Sequence, residues 1–127
     1  MEHHLRPLSL SPELGQAALV HTQDMVSKGY FEHNSANGQP FWQRIGQYYP
    51  KSNFSFWAVG ENMLWTSGKA TPNQSLEMWM ASPEHRANIL NPDWRQIGIA
   101  AVNSPSAPGT YGGRDVTVVT TDFGVRR

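Results

Sequence analysis

"SPEHRANILNPDWRQIGIAAV", Ser82 to Val102, changes its period halfway along. Ser82 and Pro83 have the chemistry of a helix start: a capping side chain, then a residue whose fixed φ suits the first turn. "NPDW" (Asn91–Trp94) ends that helix, since proline disfavours helical backbone at the residue before it. Ile97 to Val102 then reads as a strand, and "VTVVTTDF" (Val116–Phe123) as a second one. Between them "NSPSAPGTYGGRD" (Asn103–Asp115) is rich in Pro, Gly and Ser and reads as a loop joining an antiparallel pair. Helices first and the clearest strands last predict an α+β fold, with helices packed on an antiparallel sheet.

Upstream, Ser11-Pro12 is another cap and first turn. Leu14, Ala17, Ala18, His21 and Met25 then share one helical face, and Gly29 is a stop. Tyr30 to Pro40 reads as a loop, with Asn37-Gly38 as turn chemistry, and Pro40 opens a short helix, "FWQRIGQYY". Asn53 to Trp65 is aromatic-rich and reads as strand-like or irregular, with Gly60 breaking it near the middle. Thr71 to Gln74 is a capping box. The helix it starts carries Leu76, Trp79 and Met80, read as core.

The chain has 127 residues, of which 39% are hydrophobic, enough for one domain with a core of its own. Ten basic and ten acidic residues cancel, so charge offers no case for nucleic acid or an anionic membrane as partner. The absence of cysteine excludes disulfides, thiolate metal sites and a cysteine nucleophile. No stretch approaches the 18 or so apolar residues that span a bilayer. Residues 1–7 are read as a leader and set aside from the domain at 8–127.

Five histidines are present. His3 and His4 fall in the leader, and His21 reads as a packed, hydrogen-bonded core residue. His33 and His85 lie in polar contexts at element boundaries, where functional residues gather. Taken singly, each reads first as a solvated side chain. Glu61 stands with Asn62 inside an apolar run, so it is either exposed at a strand end or paired in the interior. Two histidines and a glutamate are acceptable ligands for Zn²⁺ with an open fourth position. The same three suit a base and an orienting carboxylate in hydrolysis. "SPEHR" lacks the glycines of a nucleophile elbow, so Ser82 reads first as a cap. No H-E-x-x-H, P-loop or G-x-G-x-x-G is present. Asn53-Phe54-Ser55 and Asn73-Gln74-Ser75 match the glycosylation pattern, which recurs by chance.

Together "GYFEHNSANGQPFWQRI", "VGEN", "WMASPEHRANILNPDWRQIGIA" and "VTTDFG" resemble, in this order, the CAP superfamily, whose domain is also called SCP. The group holds the cysteine-rich secretory proteins, venom allergens and plant pathogenesis-related proteins. The likeness is to its cysteine-free bacterial branch and spans about Leu8 to Gly124. It implies a three-layer α-β-α sandwich with a central antiparallel sheet, and secretion or surface display. It also implies a cleft lined by two histidines and two acidic residues, which in several members binds Zn²⁺ or a similar divalent ion. By motif these are His33 in "FEHNS", Glu61 in "GEN" and His85 in "SPEHR". The sequence departs at the fourth position, where an acidic residue is expected three after the tryptophan. Trp79 plus three is Ser82, and a hydroxyl in place of a carboxylate lowers affinity for a dication. The family's opening helix, ahead of "L-R-P-L", is also not found.

The resemblance favours a non-catalytic extracellular module whose cleft (His33, Glu61, Ser82, His85) takes a divalent ion, a small ligand, a lipid or an extracellular partner. One alternative is a metal- or Ser/His-dependent hydrolase of protease type using the same residues. Ser82 and His85, three apart on one helix face, can approach each other, but a capping serine has its oxygen engaged by backbone N–H groups. Another is a structural cell-wall or matrix domain with a vestigial cleft.

Overall fold

Val116 to Val125 are buried without a break, the pattern of a strand covered on both faces. The structure, a computed structural model, describes residues 7–127. The histidines at 3 and 4 and most of the leader at 1–7 lie outside the described residues. In chain order the elements are β1 (Ser9–Leu10), α1 (Pro12–Lys28), α2 (Phe41–Gly46), β2 (Trp57–Ser67), α3 (Pro72–Met80), α4 (Pro83–Leu90), β3 (Gln96–Ala107), a 3₁₀ turn (Gly109–Tyr111) and β4 (Arg114–Arg126). The strands form one sheet in the order β1-β3-β4-β2, so β4 is interior and β2 is an edge.

β4 pairs antiparallel with both β2 and β3. β1 joins β3 in parallel, with Ser9 opposite Gln96 and Leu10 opposite Ile97. The central antiparallel sheet thus carries one short parallel strand at its edge. Because side chains alternate along each strand, Glu61, Gly98, Thr120 and Asp122 belong to one face, and Asn62, Leu64, Val119 and Phe123 to the other. α1 and α2 cover the first face, where the Thr22 hydroxyl donates to the Ala18 carbonyl at 2.6 Å and accepts from the Thr120 hydroxyl at 2.7 Å. α3, α4 and the turn after them cover the second, where Trp79 packs on Leu64 and Val119, and Trp94 on Phe123 and Val125. This is the α-β-α sandwich.

α1 is built as its sequence suggests. The Ser11 hydroxyl accepts from Leu14 N–H at 3.1 Å, Pro12 opens the first turn, and Gly29 closes the helix at φ 79°. Leu14, Ala17, Ala18, His21 and Met25 are all buried. Full burial of a side chain the size of Leu14 stabilises by roughly 1.5–3 kcal/mol. Gly29 also meets Gly109 backbone to backbone: a Cβ on Gly29 would lie 2.8 Å from the Gly109 Cα. Gly29 is thus required by packing as well as by its φ.

Three expectations are corrected. Gly60 does not interrupt β2; it pairs with Phe123, and its missing side chain makes room for the Trp94 ring, 2.6 Å from where a Cβ would stand. The loop read at Asn103–Asp115 shrinks, because β3 runs on to Ala107 through an irregularity between Ser104 and Ala107. Pro105 is tolerated there because, among the described residues, β3 has no strand partner on its outer side beyond Ile97, so no ladder donor is lost. In α3 the capping box forms at 3.1 and 2.9 Å, but the buried stripe is Ser75 and Trp79, at i and i+4. Leu76 is 49% exposed.

Candidate functional site

The edge strand β2 gathers the candidate residues at Glu61 and Asn62, whose side chains leave on opposite faces. On the first face Glu61 is buried and its carboxylate is taken up by Arg44 of α2, with Nη2 at 2.8 Å from Oε1 and 2.6 Å from Oε2. Arg44 Nη2 also lies 2.9 Å from the His33 carbonyl, so one guanidinium fixes both the carboxylate and the loop bearing the histidine. His33 Nδ1 is 2.9 Å from Glu61 Oε1. An ionised carboxylate only accepts, so Nδ1 carries the hydrogen, and Nε2 is the nitrogen left to the surroundings. The His33 side chain is 47% exposed. The loop is further anchored by His21, whose Nε2 lies 2.8 Å from the Glu32 carbonyl, as expected of a buried structural histidine.

Asp122 of β4 stands opposite Glu61 in the ladder and is fully buried. Its Oδ2 is 3.9 Å from Arg44 Nη1, and neither of its oxygens has a hydrogen-bond partner among the described residues. Burial, and then the Glu61 charge, push Asp122 well above the usual carboxylate range. Burial also acts to raise Glu61, but the His33 hydrogen bond, the neighbouring Asp122 carboxyl and the Arg44 guanidinium outweigh it and bring it down to about 2. The pair therefore divides its roles: Glu61 is the more acidic of the two, and Asp122 is the carboxyl that takes up a proton first. One negative charge faces one buried guanidinium, which is the balance a low-dielectric interior requires.

On the second face the chemistry is neutral. Asn62 Nδ2 donates to the His85 carbonyl at 3.0 Å. Asn88 Nδ2 lies 2.9 Å from Asn62 Oδ1 and 3.2 Å from the Glu61 carbonyl, and the Asn88 carbonyl accepts from Trp94 Nε1 at 2.9 Å. These bonds tie α4 to the outer edge of β2. His33 by its ring and His85 by its backbone carbonyl thus meet the same strand edge from opposite layers. Burial lowers the His85 pKa, and the His33 charge lowers it further. Ser82 begins α4 with extended backbone, but its hydroxyl makes no capping hydrogen bond. The expectation of an engaged capping oxygen is corrected: Pro83 and the packing of α4 hold the helix start without it.

A Zn²⁺ centre with three protein ligands does not fit this arrangement. Both Glu61 oxygens face Arg44, and among the described residues no group of three or more His, Asp and Glu side chains is placed to hold a metal ion. Glu61 stands behind His33 as an orienting group instead.

Sequence reasoning missed Arg44 and Asp122. Each had a signal, a single charged residue within an apolar pattern: Arg44 lies on the helical face of Phe41, Ile45 and Tyr48, and Asp122 in the buried run of β4. A second carboxyl does stand beside Glu61, but β4 supplies it, not the segment after Trp79.

Comparison with known proteins agrees with this architecture. The chain is 37% identical over 103 residues to the protein YkwD of Bacillus subtilis (strain 168), covering 80% of this chain and 37% of that one. It is 27% identical over 101 residues to the membrane protein YlbC of the same organism, covering 78% of this chain and 27% of that one. The chain thus spans well under half the length of both relatives. An extracellular protein containing an SCP domain from Bacillus anthracis str. Ames superposes with a TM-score of 0.70 at 25% identity, over 99% of this chain and 36% of that one. An outer surface protein of Borrelia burgdorferi does so with a TM-score of 0.70 at 22% identity, over 99% and 83%, a likeness of fold. Among the described residues no helix is long and apolar enough to cross a membrane. The CAP model, described as the cysteine-rich secretory protein family, matches residues 1–123, and the chain belongs to that family.

Proposed function

We propose that this is a non-catalytic binding domain of the cell exterior, with the His33–His85 cleft at the edge of β2 as its ligand site. The observation that carries the reading is the commitment of Glu61. Its carboxylate is buried and faces Arg44 with both oxygens and His33 with one. A carboxylate so held neither ligates a metal nor serves as a free base, which leaves the two imidazoles as the groups a ligand meets. An extracellular place accords with the descriptions of the two structural neighbours, one extracellular and one of the outer surface. A small ligand, a lipid headgroup or a partner side chain meets the cleft through hydrogen bonds to imidazole. A divalent ion meets only two nitrogens and is held weakly.

Titration calorimetry with Zn²⁺ on the protein, His33→Ala and His85→Ala tests this. Weak heat that either substitution removes is expected. Stoichiometric, tight Zn²⁺ binding would show that Glu61 leaves Arg44, and heat indifferent to both substitutions would sink the paired-histidine cleft.

A second reading has one observation in its favour. His33 with its Nδ1 hydrogen directed at Glu61 is the arrangement of an oriented general base, which suits water activation in a hydrolase. Incubation with casein and a general ester, with His33→Ala and Ser82→Ala as controls, separates the two. Turnover lost in His33→Ala at unchanged stability would favour the enzyme; no turnover favours the binding domain.

A further inference from the structure

A second site lies on the outer side of α2, turned away from Arg44. Trp42, Gln43, Gly46 and Gln47 of the helix face Lys51 and Trp57 across an open groove of about 310 Å³, at the small end of ligand sites. Trp42 is 49% exposed, a large apolar side chain left in water. Trp57 is fixed: its Nε1 donates to the Tyr49 carbonyl at 2.7 Å, and its ring packs on the Leu14–Ala17–Ile45–Tyr49 cluster. Gly46 leaves the edge of the Trp57 ring uncovered, since a Cβ there would just touch it at 3.5 Å. Gln43, Gln47 and Lys51 are exposed around these rings.

We propose that this groove binds a β-linked hexopyranose chain, stacked on the exposed Trp42 ring with the uncovered edge of Trp57 beside it, with Lys51 favouring units that carry a carboxylate. The chemistry is complementary at each point. A pyranose with equatorial substituents presents a face of C–H groups, which suits the negative face of an aromatic ring. Glutamine amides donate and accept, as sugar hydroxyl and acetamido groups require. The lining holds an ammonium and no carboxylate, so its net charge matches an acidic glycan and repels none.

A membrane surface fits less well. The neighbouring exposed rings Phe54 and Phe56 each have a guanidinium over them. The Arg126 guanidinium lies 5.1 Å from the Phe54 ring centre and that of Arg127 lies 4.7 Å from Phe56. The aromatic groups of the groove itself border an open, shallow depression.

The test is titration, followed by tryptophan fluorescence and by indole N–H signals in NMR. The probes are a tetramer of β-1,4-linked N-acetylglucosamine, a β-linked tetramer alternating glucuronate with N-acetylglucosamine, and phosphatidylglycerol vesicles. Both tetramers bind, the acidic one more tightly. Trp42→Ala weakens both about tenfold, Trp42→Phe restores most of the loss, and Lys51→Met removes only the preference for the acidic one. His33→Ala leaves all of this unchanged, so the groove stands or falls apart from the histidine cleft. Absence of binding to either tetramer, binding indifferent to Trp42→Ala, or Trp42-dependent binding to vesicles alone would overturn the proposal. A preference that survives Lys51→Met would overturn the part given to Lys51.

Discussion

Glu61 and Asn62 are adjacent in β2, both buried, and solve the same problem in opposite ways. Glu61 enters the layer of α1 and α2 and is balanced by Arg44, with Asp122, the more readily protonated carboxyl, beside it. Asn62 enters the layer of α4 and is satisfied by amide and carbonyl groups alone. A buried charge needs a countercharge and tolerates no loss of it; a neutral amide needs only partners of the right direction. The two faces also press on the sheet differently. Gly98 admits the backbone of Leu14 and Gly15 in α1, whereas Gly60 admits the side chain of Trp94.

The hardest blow falls on the charged side. Arg44→Met leaves Glu61 buried without its cation and is expected to cost about 3–5 kcal/mol in urea unfolding. A loss under about 1 kcal/mol would mean that the carboxylate is solvated. Asp122→Asn tests the same cluster through pH. Glu61 titrates below its ordinary value, so its stabilisation is present above about pH 4.5 and is lost as the pH falls towards 2. Asp122 titrates above its ordinary value of 3.8; its contribution is present below that and fades as pH rises through its folded value. In Asp122→Asn only the Glu61 contribution remains. Thermal melts from pH 3 to 7 are expected to show a steeper acid loss and neutral stability no lower than that of the parent. An unchanged acid limb would remove the proton from Asp122.

The glycines sharpen the contrast at lower energy. Gly98→Ala places a Cβ on the backbone of α1, which cannot yield without moving the helix, and should cost about 3 kcal/mol. Gly60→Ala meets a ring that can turn aside, and about 1 kcal/mol is expected. Equal losses in chemical denaturation would show that the two layers are equally rigid.

The smallest effects belong to Ser11 and Ser82, the two serines that precede a proline at a helix start. Ser11→Ala removes a 3.1 Å cap and should cost about 1 kcal/mol. Ser82→Ala removes no cap and should stay within about 0.5 kcal/mol. A loss at Ser82 matching that at Ser11 would restore its capping role.

Local chemistry was legible wherever one residue settles one backbone feature. Ser11, Pro12, Gly29 and the Thr71–Gln74 box mark helix ends because their bonds and φ values are decided within a few residues of chain. The apolar face of α1, the strands near Ile97 and Val116, and the α+β class follow from periodicity. What escaped depends on partners far away in sequence. Gly60 continues a strand because Trp94, 34 positions on, lies over it, and Pro105 sits in a strand because that edge has no partner among the described residues.

The histidine pair has the same divided origin. The sequence determined that His33, Glu61 and His85 are present, in motifs that resemble one family, and that Glu61, if buried, must be paired. Only the tertiary structure decided with what. Arg44 arrives from a short helix and Asp122 from the far end of the chain, and their meeting turns Glu61 from a candidate ligand into a fixed support behind His33. The physical reason is range: hydrogen bonds along a helix are set by neighbours, whereas a buried charge is balanced by whatever the fold brings within a few ångströms.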